Sequence, residues 1–219
     1  MTKTKPGGAR STHHINHKVT QSAFRAFDYA GEAGHPLNWY VVINLRDETA
    51  QAAATAFGKI LHKFRDWLTN KRKTVLGCPG PIYVYAFENP SGEHVHVNWV
   101  VHIPPGWERE FDKKLRGWIR KVQGPAEPYD LSIQPINQRY AKKLAKYVLK
   151  GTDPRYVDHF HLRDEHKPQG EVWGKRAGIS QAIGRKARKK AGFHPGKRSY
   201  RPAGSATEKA GHVVDEAAI

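Results

Sequence analysis

Cysteine is almost missing from this chain: Cys78 is the only one in 219 residues. That excludes a disulfide framework and a Cys-rich zinc site. Cys78 stands in Gly77-Cys78-Pro79-Gly80 with no thiolate-stabilising neighbour in sequence, which fits a reducing cytosol better than a nucleophile. Long apolar runs are missing too. None approaches the length of a bilayer-spanning helix and no signal peptide opens the chain, so a cytoplasmic protein without a membrane partner is expected. Acids are scarce: 20 Asp and Glu stand against 37 Lys and Arg, a net charge of +17. A polyanionic partner follows, because Lys and Arg contacts to phosphate dominate nucleic-acid affinity, with an anionic membrane surface as the rival reading of the charge. There is no internal repeat and no glycine-rich phosphate loop of the P-loop or Rossmann type.

What is present suffices for a folded core, with 38% hydrophobic and 11% aromatic residues. Residues 1–36 are rich in Gly, Ser, Thr and His with little periodicity and suggest a basic flexible arm, with a short helix near 21–29. The His13-His14-x-x-His17 cluster in it reads as solvated tail. Residues 37–165 are well patterned. Trp39-Tyr40-Val41-Val42-Ile43-Asn44-Leu45 is β-branched and aromatic, a strand. Asp47 offers an N-cap to a helix over about 48–69, in which Ala53, Phe57, Ile60, Leu61, Phe64 and Leu68 recur at helical spacing. A hairpin follows, with strands over 82–88 and 94–103 around Asn89-Pro90-Ser91-Gly92. A second helix is expected over about 108–122, a short strand over 131–136, and a third helix over about 137–150. This β-α-β-β-α-β-α order predicts an α+β fold of the ferredoxin or RRM type, an antiparallel sheet with its helices on one face.

Residues 166–219 suggest a basic tail that binds nucleic acid. Between 167 and 204 there are eleven Lys or Arg and one acid, Glu171. Lys175, Arg176, Arg185, Lys186, Arg188, Lys189 and Lys190 are the candidate phosphate contacts. Trp173, Phe193 and Tyr200 interleave them, as suits a single strand with phosphates on cations and bases on rings.

Among thirteen histidines, His94-Val95-His96 is the pair that spacing singles out. On a strand, residues i and i+2 share a face, so two imidazoles can grip one cation. By pattern alone, two hydrogen-bonded structural histidines are an equal alternative. Glu88 lies across the hairpin turn, where its carboxylate would complete a two-His-one-carboxylate set suited to Mn²⁺ or Mg²⁺. His102, farther along the strand, fits a core or sheet-surface histidine better than a ligand. On the third helix, Tyr140, Lys143, Tyr147 and Lys150 share one face beside an apolar stripe of Ala141, Leu144 and Val148. Lysines one turn either side of Tyr147 would support negative charge on its oxygen, and a tyrosine oxygen can attack phosphorus. A surface tyrosine with a packed ring is the plainer alternative.

The combination resembles the HUH endonucleases, and within them bacterial plasmid or prophage rolling-circle replication initiators with a single catalytic tyrosine. Their His-hydrophobic-His strand is matched by His94-Val95-His96, their later Tyr-x-x-Lys helix by Tyr147-Val148-Leu149-Lys150, and their leading apolar strand by Val41–Leu45. The resemblance covers about residues 38–152. It implies metal-dependent, site-specific nicking and joining of single-stranded DNA or an origin hairpin, through a 5′-phosphotyrosine at Tyr147. Lys150 and Lys143 would assist, and His94, His96 and Glu88 would hold Mn²⁺ or Mg²⁺. No helicase or ATPase domain is visible, so the resemblance implies a host helicase and polymerase as partners. Tyr140 would be a second nucleophile only in a two-tyrosine arrangement, and its separation of about 10 Å is wide for that. Asp158-His159-Phe160-His161 repeats the histidine pattern without strand context. A single-strand transposase would share the chemistry, and a non-catalytic RRM-like module would share the fold. A hydrolase of small phosphates fits the charge poorly.

Overall fold

The computed structural model of the protein describes residues 11–46, 49–92, 94–125 and 127–195. The chain is α+β and both of its sheets are antiparallel. In order it runs β1 (Ser11–Thr12), α1 (His17–Glu32), β2 (Trp39–Leu45), α2 (Ala50–Thr74), β3 (Tyr83–Glu88), β4 (Val95–Val101), α3 (Glu108–Gln123), β5 (Leu131–Pro135), α4 (Ala141–Val148), β6 (Val172–Trp173), β7 (Ala177–Ile179) and α5 (Arg185–Lys190). The main sheet has the order β5-β2-β4-β3-β7, and β1 pairs with β6 in a separate two-stranded ribbon. No helix among the described residues is long and apolar enough to cross a membrane.

Strand alternation gives each face of the sheet its own core. Val41, Ile43, Leu45, Tyr83, Phe87, Val95, Val97, Trp99 and Val101 pack against α2 and α3. The helical faces supply Phe57, Ile60, Phe64 and Leu68 from α2 and Phe111, Leu115 and Ile119 from α3. Edge-to-face rings knit this layer, with Phe64 and Trp99 4.8 Å apart at 81°; such pairs add roughly 0.5–1.5 kcal/mol beyond their buried area. The opposite face, with Val84, Ala86 and Val100, packs against Ala23 and Phe24 of α1 and Ala145 and Val148 of α4.

The helices therefore cover both faces, not the single face the element order suggested. The physical reason lies in α1. Its Thr20, Ala23, Phe24, Ala26 and Ala30 are buried at helical spacing, and Asn16 caps it by accepting from the Val19 amide. The segment taken as an arm ending at residue 36 is thus in part a structural helix. The boundary at 165/166 moves similarly, because β7 is an edge strand of the main sheet and Ala177 and Ile183 are buried. Residues 1–10 and 196–219 of the expected arm and tail lie outside the described residues, as does Asp47. The side chain that caps α2 is Thr49, accepting from the Ala52 amide.

Candidate functional site

The hairpin register sets the centre of the site. Glu88 stands directly opposite His96 in the β3–β4 ladder. Opposed residues on one face lie close enough for their side chains to meet. His96 Nε2 and Glu88 Oε2 are 2.8 Å apart. Glu88 is 2% exposed, yet it carries a carboxylate, so it requires charged or hydrogen-bonding partners. The second partner is Lys150, whose Nζ is 2.9 Å from the same Oε2 and whose side chain is itself buried. Lys150 lies two residues beyond the end of α4. Its ammonium also sits 3.8 Å from the centroid of the Tyr147 ring, over the ring face. Tyr147, Lys150, Glu88 and His96 thus form one continuous chain of contacts between α4 and the sheet.

Two residues that sequence reasoning left aside complete the surroundings. Asn98 follows His96 by two positions and shares its face of β4. The Tyr40 hydroxyl donates to Asn98 Oδ1. The Tyr40 ring meets the Tyr147 ring edge-on, with centroids 6.5 Å apart at 87°. Burial is the largest of the influences that push the Tyr40 phenol well above its ordinary range, followed by its neighbours Tyr147 and Glu88. Tyr40 therefore stays a neutral donor and a wall for Tyr147. Its signal was present in the sequence: Tyr40 and Val42 alternate with the buried Val41, Ile43 and Leu45, so Tyr40 must face the other side.

The remaining candidates are placed less centrally. His94 is exposed and precedes the first residue of β4, so the ladder does not hold it beside His96. Lys143 is exposed on α4, and Tyr140 is exposed in a 3-10 turn ahead of that helix. Tyr147 is 43% exposed, so part of its side chain is open to solvent. His102 lies just past the end of β4 and is buried, with Nδ1 2.8 Å from the Pro36 carbonyl. His159 and His161 lie in turns outside any strand, and His17 packs its ring on Tyr156, His159 and Phe160.

Among the described residues, no cluster of three or more His, Cys, Asp or Glu is arranged to hold a metal. The donor set that does exist is the Glu88–His96 pair, and Glu88 Oε1 is buried with no hydrogen-bond partner. An orphaned carboxylate oxygen beside an imidazole suits a hard divalent cation, so the residues fit one in part, with water or phosphate oxygens completing its shell.

The basic candidates divide sharply. Lys175, Arg185, Lys186, Lys189 and Lys190 are exposed. Arg176 and Arg188 are not surface cations; the fold uses them. The Arg176 guanidinium is buried and donates to the carbonyls of Thr12, Phe87, Gln169 and Gly170. Burial pushes its pKa down to about 10, against an opposing pull from Glu88. Arg188 donates to the Ile183 carbonyl and to Ser22 Oγ of α1, and burial lowers its pKa also. A basic run in sequence gives no means of separating these two from their solvated neighbours.

The chain matches no protein-family model, and no curated protein is significantly similar to it in sequence.

Proposed function

We propose that this protein is a single-strand DNA nicking and joining endonuclease of the HUH type, with Tyr147 as nucleophile, acting as a replication initiator. The observation that supports this most is the contact chain Tyr147–Lys150–Glu88–His96, which links an exposed tyrosine to a buried acid–imidazole pair on one face of the sheet. A purely structural tyrosine needs none of these partners.

The Tyr147 oxygen would attack a backbone phosphorus. The bond from phosphorus to the 3′ oxygen breaks, the 3′ oxygen takes up a proton, and the phenol proton passes to solvent. The products are a 5′-phosphotyrosine and a free 3′ hydroxyl, and reversal rejoins the strand. Tyr40 and Lys150 fix the Tyr147 ring from its edge and its face, which aligns the oxygen before attack. Lys150 would also supply positive charge near Tyr147 as the attacked phosphate builds negative charge. Glu88 and His96 would hold Mn²⁺ or Mg²⁺, and a bound cation supplies polarisation of the scissile phosphate.

The RRM-like alternative is weakened by the covering of both sheet faces, since that mode needs an open face on which bases stack. The transposase alternative shares every residue role and differs in joining cleaved ends to a new target.

The experiment is incubation of the protein with a random-sequence pool of labelled single-stranded DNA and Mn²⁺, followed by denaturing electrophoresis. A protein–DNA adduct is expected with the wild type and not with Tyr147→Phe, which keeps the ring and removes the oxygen. An adduct that persists in Tyr147→Phe and disappears in Tyr140→Phe reassigns the nucleophile. An adduct with neither dependence, or none at all, ends the nuclease reading.

A further inference from the structure

Away from Tyr147, an open groove of about 1450 Å³ runs along the β7 edge of the main sheet. Three segments far apart in sequence build it. Lys18 and Arg25 come from α1, Arg65 from α2, and Lys175, Arg185 and Lys189 from the C-terminal segment. All six are exposed. Buried Arg176 and Arg188 form part of the lining behind them, and none of the described lining residues is acidic. A wall of one charge sign spread over this volume is too open for a small anion and suits a chain of phosphates.

The edge strand adds neutral donors and rings. Arg176 and Phe87, and Ser180 and Tyr83, are hydrogen-bonded pairs of the β3–β7 ladder. Alternation along an antiparallel ladder then turns the amides of Ala177 and Ile179 away from β3, toward the groove. Tyr85 lies across Gly178 so closely that a Cβ there would fall 2.4 Å from its ring. The missing side chain lets the ring reach the groove, where Tyr83 and Phe193 also line the wall. Cations with interleaved rings are the chemistry of single-strand binding.

We propose that this groove binds a single strand of DNA through its phosphates, as a track outside the nicking site. The Thr12–Ile15 end of the groove adjoins that site, because the Ile15 amide donates to the carbonyl of Gly151, next to Lys150. The choice of DNA rests on the nuclease reading; the charge and the rings of the groove do not.

The test is fluorescence anisotropy of the full chain with labelled oligothymidine across a salt series. Arg25→Ala/Arg65→Ala/Lys189→Ala is compared with Arg109→Ala/Lys113→Ala/Lys121→Ala, which removes three exposed cations of α3. Each phosphate contact to a single strand contributes about 0.7 to the log–log salt slope, so the groove variant should lose about 2 units of slope and at least about tenfold in affinity at low salt. The α3 variant should keep the wild-type slope. Photocrosslinking of a halogenated strand should label peptides containing Tyr85 or Phe193. Equal loss in both variants, an unchanged groove variant, or crosslinks confined to other peptides overturns the groove. Duplex DNA that displaces the probe as well as single-stranded competitor also overturns it. If no adduct ever forms but the groove variant still loses its slope, the nuclease reading fails and the groove stands.

Discussion

Glu88 contacts an imidazole and an ammonium and leaves one of its own oxygens unpaired. Taking a carboxylate and an ammonium out of water costs several kcal/mol per ion, and only their mutual contact offsets it. Lys150→Met should therefore cost about 3–5 kcal/mol in urea unfolding, because it strands the Glu88 charge. Glu88→Gln combined with Lys150→Met should be more stable than Lys150→Met alone. Mn²⁺ should stabilise Lys150→Met more than wild type, since the metal replaces the lost cation beside Glu88. Additive losses in the double variant would show that Glu88 and Lys150 are not coupled. His102 gives a second test. Burial lowers its pKa below the ordinary histidine range, outweighing the raising effect of the Pro36 carbonyl, and nearby His35 lowers it further. The unfolded chain then binds a proton that the native chain does not. Stability should be full above the unfolded value of about 6.5 and fall as pH drops below it. His102→Gln should flatten that part of the stability–pH curve, and an unchanged curve would assign the dependence elsewhere.

Elements differ in how plainly the sequence announces them. The strand over 39–45 and the hairpin were legible because β-branched and aromatic residues alternate on either side of a Pro-Ser-Gly turn; the register that sets Glu88 opposite His96 was not, because seven residues separate the pair and the four-residue turn alone does not fix it. The helix from Glu108 to Gln123 was legible from Phe111, Leu115 and Ile119. The C-terminal elements were not. The three residues of β7 include a glycine and show no period, and their pairing depends on β3, far away in sequence. Likewise α1 hides its buried stripe in alanines, which carry little hydrophobic signal. Arg176 and Gly170 fasten the C-terminal segment to the hairpin. Gly170 has φ 62, and a Cβ there would fall 1.7 Å from the Asn89 carbonyl oxygen. Gly170→Ala should therefore destabilise by at least about 2 kcal/mol, by combining left-handed strain with a backbone clash. Arg176→Leu should match or exceed it, because four carbonyls lose a donor. Thermal melts of both variants check this, and wild-type melting in either would contradict the fastening.

At the scale of the whole molecule, charge is unevenly shared. Residues 196–219 contain four Lys or Arg and three acids, so all but one of the +17 net charges belong to residues 1–195. Truncation after residue 195 should hence leave the salt slope for DNA nearly intact. A large loss of slope on truncation would move the principal phosphate contacts into the removed segment.

The end of α4 is stitched to the N-terminal part of the described chain, and through it to the segment around residues 174–176. The Ile15 amide donates to Gly151 and the Asp153 amide to Ile15, while Thr20 and Thr152 share a hydroxyl contact. Thr12 in turn is bonded to Gly174 and to Arg176, 162 and 164 residues away. Contacts of such separation must wait for the intervening chain. On the ribosome, where synthesis proceeds from the N-terminus, Lys150 and Tyr147 emerge well before the segment that locks their surroundings. A nascent chain would therefore carry the proposed DNA-cutting residues without their finished scaffold. Any competence to cut would arrive only after the segment around Gly174 and Arg176 has emerged and packed against Thr12.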